Sequence, residues 1–484
     1  MENQINVNTK EFSIKQIIKP LIAILMAMLL VMLDSTIMNV AIPQLENIFK
    51  TDLKTIQWAI SGYTLALSAV IPLAGWFSDR FTSKKVVLVS EIIFIISSIL
   101  CTIAKTPAQL IVFRVLQGLG GGMIAPISMA LSFKIAPPDK RGSIMGILGL
   151  PMLIAPILGP VISGFLLQYA SWHWIFLINI PIGIIAIILG IKFLPSSSSG
   201  KNFKLDIFGA FLAPISFAAL IYGVRNGSGE GWSNTATIVS LIIGFVFLAL
   251  LIIAELRQNS PLLELRSFGS IEFTKGMILH CMNWTAIFGT ALMLPIYFQQ
   301  LRGFSTLHSG LMIIPQAVMS FLGMIAGGKI FDKRGAKPVI FTGLLLLSLA
   351  LFCLSGIKAD TSIYLLIVVL AILGLGQGLT SMQINTYVLK SAPERLISRV
   401  TPMTAASQQI FGSFAVALIS GLLTSNISKQ IAIIDPNVPE AQVKAMAVAF
   451  DHTFIAAMMF AICGMLLSLL LQSKKAKDEP KINK

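Results

Sequence analysis

The groups in this sequence able to do chemistry are few, and the foremost sits where charge is costly. Asp34 lies in Leu33-Asp34-Ser35-Thr36-Ile37-Met38-Asn39-Val40-Ala41-Ile42-Pro43, inside an apolar run that begins near Pro20. An ionised carboxylate at membrane depth costs at least ~2.5–3.5 kcal/mol, so such residues face a protein interior or wet cavity and act on ions or substrate. Arg114 lies in a second apolar run. At ~1.5 Å rise per residue both groups fall ~10 Å below the same membrane surface. Arginine keeps its charge, whereas a carboxylate beside it can exchange a proton as its hydration changes. The pair therefore reads as a proton switch rather than a permanent ion pair, because buried pairs are poor stabilisers in their own right. Asn179 reaches a similar depth and either lines the same cavity or bonds across helices.

Other polar groups carry weaker signals. Glu91 is expected to snorkel or to meet a loop charge near the opposite surface. His280 is expected to be a satisfied structural residue, and Asn39 and Asn283 are cavity candidates. Trp58, Tyr63, Trp284 and Phe288 offer aromatic surface suited to lipophilic or cationic molecules, although about half of such a set should face lipid or pack between helices instead. Cys101, Cys281, Cys353 and Cys463 stand singly, without metal-ligand spacing. No catalytic residue, metal or cofactor is expected; the driving force would be a proton gradient.

These residues must be positioned by membrane helices. Of 484 residues 55% are hydrophobic and 12% charged, against about 25% charged in soluble domains. The net charge of +15 would suit nucleic acid only if gathered on one face, and here it is spread through short loops. Fourteen runs of about 20 apolar residues read as transmembrane helices. Loop Lys and Arg place both termini in the cytoplasm. The first run lacks a small-x-small cleavage site and should remain as a helix.

A repeat then appears. Gly75, Asp79, Arg80 and Lys84 after the second run recur at one offset as Gly328, Asp332, Lys333 and Lys337 after the tenth. Ala136-Pro137-Pro138-Asp139-Lys140-Arg141 is echoed by Ala392-Pro393-Glu394-Arg395. The division expected is a six-helix half over 1–195, a linker and two inserted helices over 196–274, a second six-helix half over 275–472, and a tail over 473–484. Gly75, Asp79, Arg80, Lys84, Lys85, Asp332 and Lys333 form a candidate conformational latch at the cytoplasmic ends of helices. The fifth run carries Gly146, Gly149, Pro151, Pro156, Gly159, Pro160 and Gly164, which predicts a kinked helix packed closely through its small residues.

Taken together these motifs resemble the fourteen-helix drug:proton antiporter family of the major facilitator superfamily, which includes QacA-type and EmrB-type multidrug exporters. The matching residues are Leu33, Asp34, Thr36, Asn39, Val40, Ala41 and Pro43; Gly75, Asp79, Arg80, Lys84 and Lys85; Arg114, Gln117 and Gly118; Gly159, Pro160 and Gly164; Trp172, Trp174, Asn179 and Pro181; and Leu294, Pro295, Tyr297 and Gln299. Departures are Thr82 and Ser163 where glycine is usual, His173 where arginine is common, and a thirteenth helix without an acidic residue, so no strong preference for dications is expected. The resemblance implies an all-α membrane protein with two six-helix pseudo-repeats and two inserted helices. Its implied function is proton-coupled export of lipophilic toxic compounds, cationic ones among them, by alternating access; the alternative is a dedicated exporter of one metabolite, antibiotic, siderophore or lipid. Proton coupling would fall to Asp34 and Arg114, and the helix carrying Pro156, Gly159, Pro160 and Gly164 would seal an outer gate. The expected setting is a bacterial plasma membrane, as a monomer handling small molecules and protons but no nucleic acid, with an adaptor protein only in a double-membrane bacterium.

Overall fold

The computed structural model describes residues 14–196, 206–258, 261–357, 361–431 and 439–472. These residues form fourteen helical spans long and apolar enough to cross a membrane, and no strand. In chain order, spans 1 to 6 are Ile17–Met38, Leu53–Phe81, Ser83–Thr102, Pro107–Ile135, Pro138–Tyr169 and Trp174–Phe193. Spans 7 and 8 are Ile207–Glu230 and Thr235–Arg257. Spans 9 to 14 are Ile271–Leu301, His308–Arg334, Ala336–Ser355, Ile363–Lys390, Glu394–Lys429 and Met446–Ser468. Most of the Ser196–Gly200 linker and the 473–484 tail lie outside the described residues.

A bilayer offers no water to backbone groups, so each span must satisfy its own, and the exposed ends are closed by side chains. Asp52 accepts from Thr55 N at 2.9 Å and Thr106 from Gln109 N at 3.2 Å. Asp206 opens span 7 by accepting from Gly209 N at 2.9 Å. Span 5 is interrupted, as its prolines predict: one helix runs Arg141–Ile147 and a second Leu150–Tyr169, with Pro151 in the first turn of the second.

The sequence repeat extends to the helix crossings. Gly118 of span 4 packs directly on the Tyr63 carbonyl of span 2, and Gly374 of span 12 packs in the same way on the Gln316 carbonyl of span 10. Gln316 stands to Tyr63 at the offset that relates Asp332 to Asp79. Any side chain at either glycine would drive these helix pairs apart.

The turn after span 2 shows where the repeat is imperfect. Thr82 has φ 78° and ψ 141°, and Gly335, three residues after Asp332 as Thr82 is after Asp79, has φ 87°. Glycine adopts this backbone freely, whereas a β-branched residue is strained there by about 1–3 kcal/mol. Thr82 recovers only a long cap, its Oγ1 accepting from Lys85 N at 3.4 Å. Replacing it by glycine forfeits that cap, worth a few tenths of a kcal/mol. Thr82→Gly should therefore stabilise the protein by about 1 kcal/mol, measured as a rise in the midpoint of thermal unfolding in detergent.

Candidate functional site

Asp34 and Arg114 meet in the interior of the first six spans, each 1% exposed. Arg114 Nη1 donates to Asp34 Oδ2 at 2.6 Å. The other carboxylate oxygen accepts from Gln117 Nε2 at 3.0 Å and from Asn179 Nδ2 at 2.7 Å. Gln117 ties the ions together, because its Oε1 accepts from Arg114 Nη1 at 2.6 Å while its Nε2 also reaches Ser98 Oγ at 2.7 Å. Arg114 Nε donates to the Ala59 carbonyl at 3.2 Å, and its guanidinium lies 4.1 Å from the centre of the Tyr63 ring. Spans 1, 2, 3, 4 and 6 thus converge on one ion pair.

The chemical character of this site follows from its donors. Each of these bonds to Asp34 comes from an N–H, an arrangement suited to a carboxylate. A protonated Asp34 would need an acceptor, and Asn179 Oδ1, buried and without a partner, is within a turn of its own amide. The site can therefore offer hydrogen bonds to either form of Asp34 by rotating one side chain. Among the described residues no group of three His, Cys, Asp or Glu side chains is placed to hold a metal ion.

At the end of the bundle that carries Asp79 and Asp332, the two groups of six spans lock together. Asp332 of span 10 accepts from Gly142 N at 2.7 Å, Ser143 N at 2.8 Å and Ser143 Oγ at 2.6 Å, capping the first helix of span 5. Asp79 of span 2 meets Arg399 Nε of span 13 at 3.5 Å. Gly75 packs against the Ser398 carbonyl and Gly328 against that of Gly142. Arg141 and Glu394, from the repeated loops, form a further ion pair. Lys84 stays within its own half, donating to the Ile191 carbonyl at 2.7 Å, and Arg80, Lys85 and Lys333 are exposed.

Several expectations need correction. Trp58 does not point towards Asp34 with Tyr63: it is 39% exposed and stacks on Tyr222 of span 7 with centroids 5.9 Å apart. Glu91 neither snorkels nor forms an ion pair among the described residues; it is 1% exposed, with Oε2 unpartnered. Gly164 is exposed with nothing near it and Pro156 is also exposed, so close packing within span 5 centres on Gly159, which faces Thr36 of span 1, and on Gly146, which faces Met324 of span 10. The side chains of Asn39 and Pro160 lie outside the described residues. His280 bonds the Thr404 carbonyl at 3.1 Å. Asn283 is buried with both amide atoms unpartnered; Trp284, buried beside it in sequence, has an unpartnered Nε1, and its ring leans on half-buried Phe288.

Two contributors escaped sequence reading. Ser98 looks like any small residue in an apolar helix. Arg399 carries no signal beyond being basic near a helix start.

Comparison with known proteins places these observations in context. The profile described as Major Facilitator Superfamily matches residues 24–416. The chain is 30% identical to the MFS-type transporter YhcA of Bacillus subtilis, covering 97% of each. It is 29% identical to the lincomycin resistance protein LmrB of Listeria monocytogenes over 94% of this chain and 97% of that one. It is 32% identical to a multidrug resistance protein B homolog of Mycobacterium tuberculosis, over 81% and 73%. The human organic anion transporter MFSD10 shares the fold with a TM-score of 0.64 at 14% identity, covering 92% of this chain and 99% of that one. The proton:xylose symporter XylE does so with a TM-score of 0.62 at 15% identity, over 95% and 99%.

The two latches differ in strength, since among the described residues Asp332 takes three short bonds and Asp79 one long one. Asp332→Ala should loosen this end more than Asp79→Ala. Spin labels at Lys134→Cys and Arg395→Cys, with Cys281, Cys353 and Cys463 replaced by alanine, should show a longer distance population in the former and little change in the latter.

Proposed function

The chain belongs to the major facilitator superfamily, which comprises membrane transporters of small molecules rather than enzymes, and from that premise we propose that it is a drug:proton antiporter exporting lipophilic compounds, cationic ones among them. The observation that carries this reading is Asp34, a carboxylate buried at membrane depth with an arginine partner and a side chain beside it able to serve its protonated form. The names of the lincomycin and multidrug resistance relatives support export as the direction.

In this reading the Asp79 end faces the cytoplasm of a bacterial cell, as the loop charges favour. The conformation described is then the one closed to the cytoplasm. A proton arriving from outside neutralises Asp34, and Asn179 turns its Oδ1 towards the new O–H. Arg114 loses its counter-charge and keeps Gln117, the Ala59 carbonyl and the Tyr63 ring. Neutralisation changes how spans 1, 4 and 6 hold together, and that change favours parting of the latches. Return of the proton to the cytoplasm restores the pair as the next substrate is taken up. Such a cycle needs no cofactor beyond the proton gradient, and the protein would work as a monomer in the plasma membrane, with an adaptor only where a second membrane must be crossed.

Inverted vesicles containing the protein should release protons from their lumen when lincomycin, ethidium or tetraphenylphosphonium is added. Asp34→Asn should reduce that signal to the level of empty vesicles at equal protein content, and Asp34→Glu should retain part of it. Normal coupling in Asp34→Asn would overturn the assignment.

A further inference from the structure

We infer that Gln316 and Gln377 form a substrate-binding pair that recognises a neutral amide, an inference that rests on the export reading and narrows it. Gln316 lies about ten residues into the helix that starts at Thr306, and Gln377 about fourteen residues into the helix that starts at Ile363. At ~1.5 Å per residue both fall near the middle of the membrane. They are 9% and 7% exposed. Gln316 Nε2 donates to Gln377 Oε1 at 2.9 Å, while Gln316 Oε1 and Gln377 Nε2 have no partner.

Two facing primary amides can exchange two hydrogen bonds and close a ring. This pair makes one, leaving an acceptor on one residue beside a donor on the other. Each buried polar group left unpaired costs ~1–3 kcal/mol, so a pair that served packing alone would be poorly built. The repeat gives the contrast: in the register that matches Gly118 to Gly374 and Tyr63 to Gln316, the place of Gln377 is taken by Gly121, and no amide stands at either position in the first half.

The position suits a substrate. Spans 10 and 12, which carry the pair, both reach the first six spans: Met324 of span 10 packs on Gly146, and Asn385 of span 12 donates to Met129 Sδ at 3.2 Å. The pair is thus held on helices that form the boundary between the halves. A ligand amide carries one N–H donor and one C=O acceptor, the two kinds of group that Gln316 Oε1 and Gln377 Nε2 can each pair with. Recognition of this kind reads hydrogen-bonding groups and is indifferent to charge, so it can serve neutral and cationic molecules alike. A molecule without such groups would gain only apolar contact.

The test uses the purified full chain in lipid nanodiscs and two tritiated probes. Lincomycin carries a secondary amide; tetraphenylphosphonium carries no hydrogen-bonding group. Gln316→Met and Gln377→Met keep side-chain length and remove the amide, and Gln377→Asn, which withdraws the amide by one methylene, serves as a second variant should a Met variant fail to fold. Each should weaken lincomycin binding about tenfold or more and shift tetraphenylphosphonium by less than about twofold. Unchanged lincomycin affinity would overturn the inference. So would equal weakening of both probes, which would mark the pair as structural, or wild-type binding of tetraphenylphosphonium without lincomycin. Failure of the export reading itself would appear elsewhere, as wild-type vesicles that move no protons with any drug.

Discussion

One ion pair in a low-dielectric interior constrains much of the first half. A guanidinium and a carboxylate taken out of water must find all their hydrogen bonds in the protein, and breaking a buried pair by removing one partner costs about 3–5 kcal/mol. Arg114 and Asp34 meet that demand by drawing in Gln117, Ser98, Asn179, the Ala59 carbonyl and the Tyr63 ring. The close approach of span 4 to span 2 at Gly118 brings Arg114 within reach of Ala59 and Tyr63. In the second half the register set by Gly118 and Gly374 puts Leu370 and Leu373, both fully buried, where Arg114 and Gln117 stand. The scaffold is repeated and the charge is not, so any coupling through this network is a property of the first half alone.

The latches show the converse, a repeated charge used in two ways. Asp332 caps a helix, where its negative charge is favoured by the aligned backbone dipoles and by two N–H groups that would otherwise lack partners. Asp79 faces a long, partly exposed side chain at the edge of hydrogen-bonding distance. At 3.5 Å that contact is at the limit of a side-chain hydrogen bond and is weak for its geometry. Repeat-related residues therefore hold opposite sides of the same closed end with different strength, and the Asp332 side is the firmer.

Much of this could be read from the sequence because membrane helices turn residue number into depth. Depth alone predicted that Asp34, Arg114 and Asn179 are level, and the repeat predicted that Asp79 and Asp332 occupy related places. Depth does not give the direction in which a side chain points. Trp58 and Tyr63 are five residues apart, and a turn of the helix sends one to span 7 and the other beneath Arg114. Glu91 has the depth of a snorkelling residue, but it points inward. Nor does a sequence show strain: Thr82 is an ordinary substitution until its φ of 78° is seen.

The inserted spans illustrate how a contact can be extensive without being a lock. Span 7 lies against both span 2 and span 13, and so touches both halves. At the end opposite the latches, Lys54 pairs with Glu230 at 2.6 Å and Ser228 bonds Ser420 at 2.7 Å. The Lys54 and Glu230 side chains are 77% and 38% exposed, so water can replace each as a partner and the pair holds little energy. The hydroxyl pair is a single neutral hydrogen bond, with a net worth of ~0.5–1.5 kcal/mol. Both are small beside the about 3–5 kcal/mol that removing one partner of the buried Asp34–Arg114 pair would cost. Span 8 packs chiefly on span 7 and presents apolar residues such as Ile242, Phe245 and Ile253 outward. Spans 7 and 8 are thus held to each other, and span 7 touches both halves without a strong polar tie at this end.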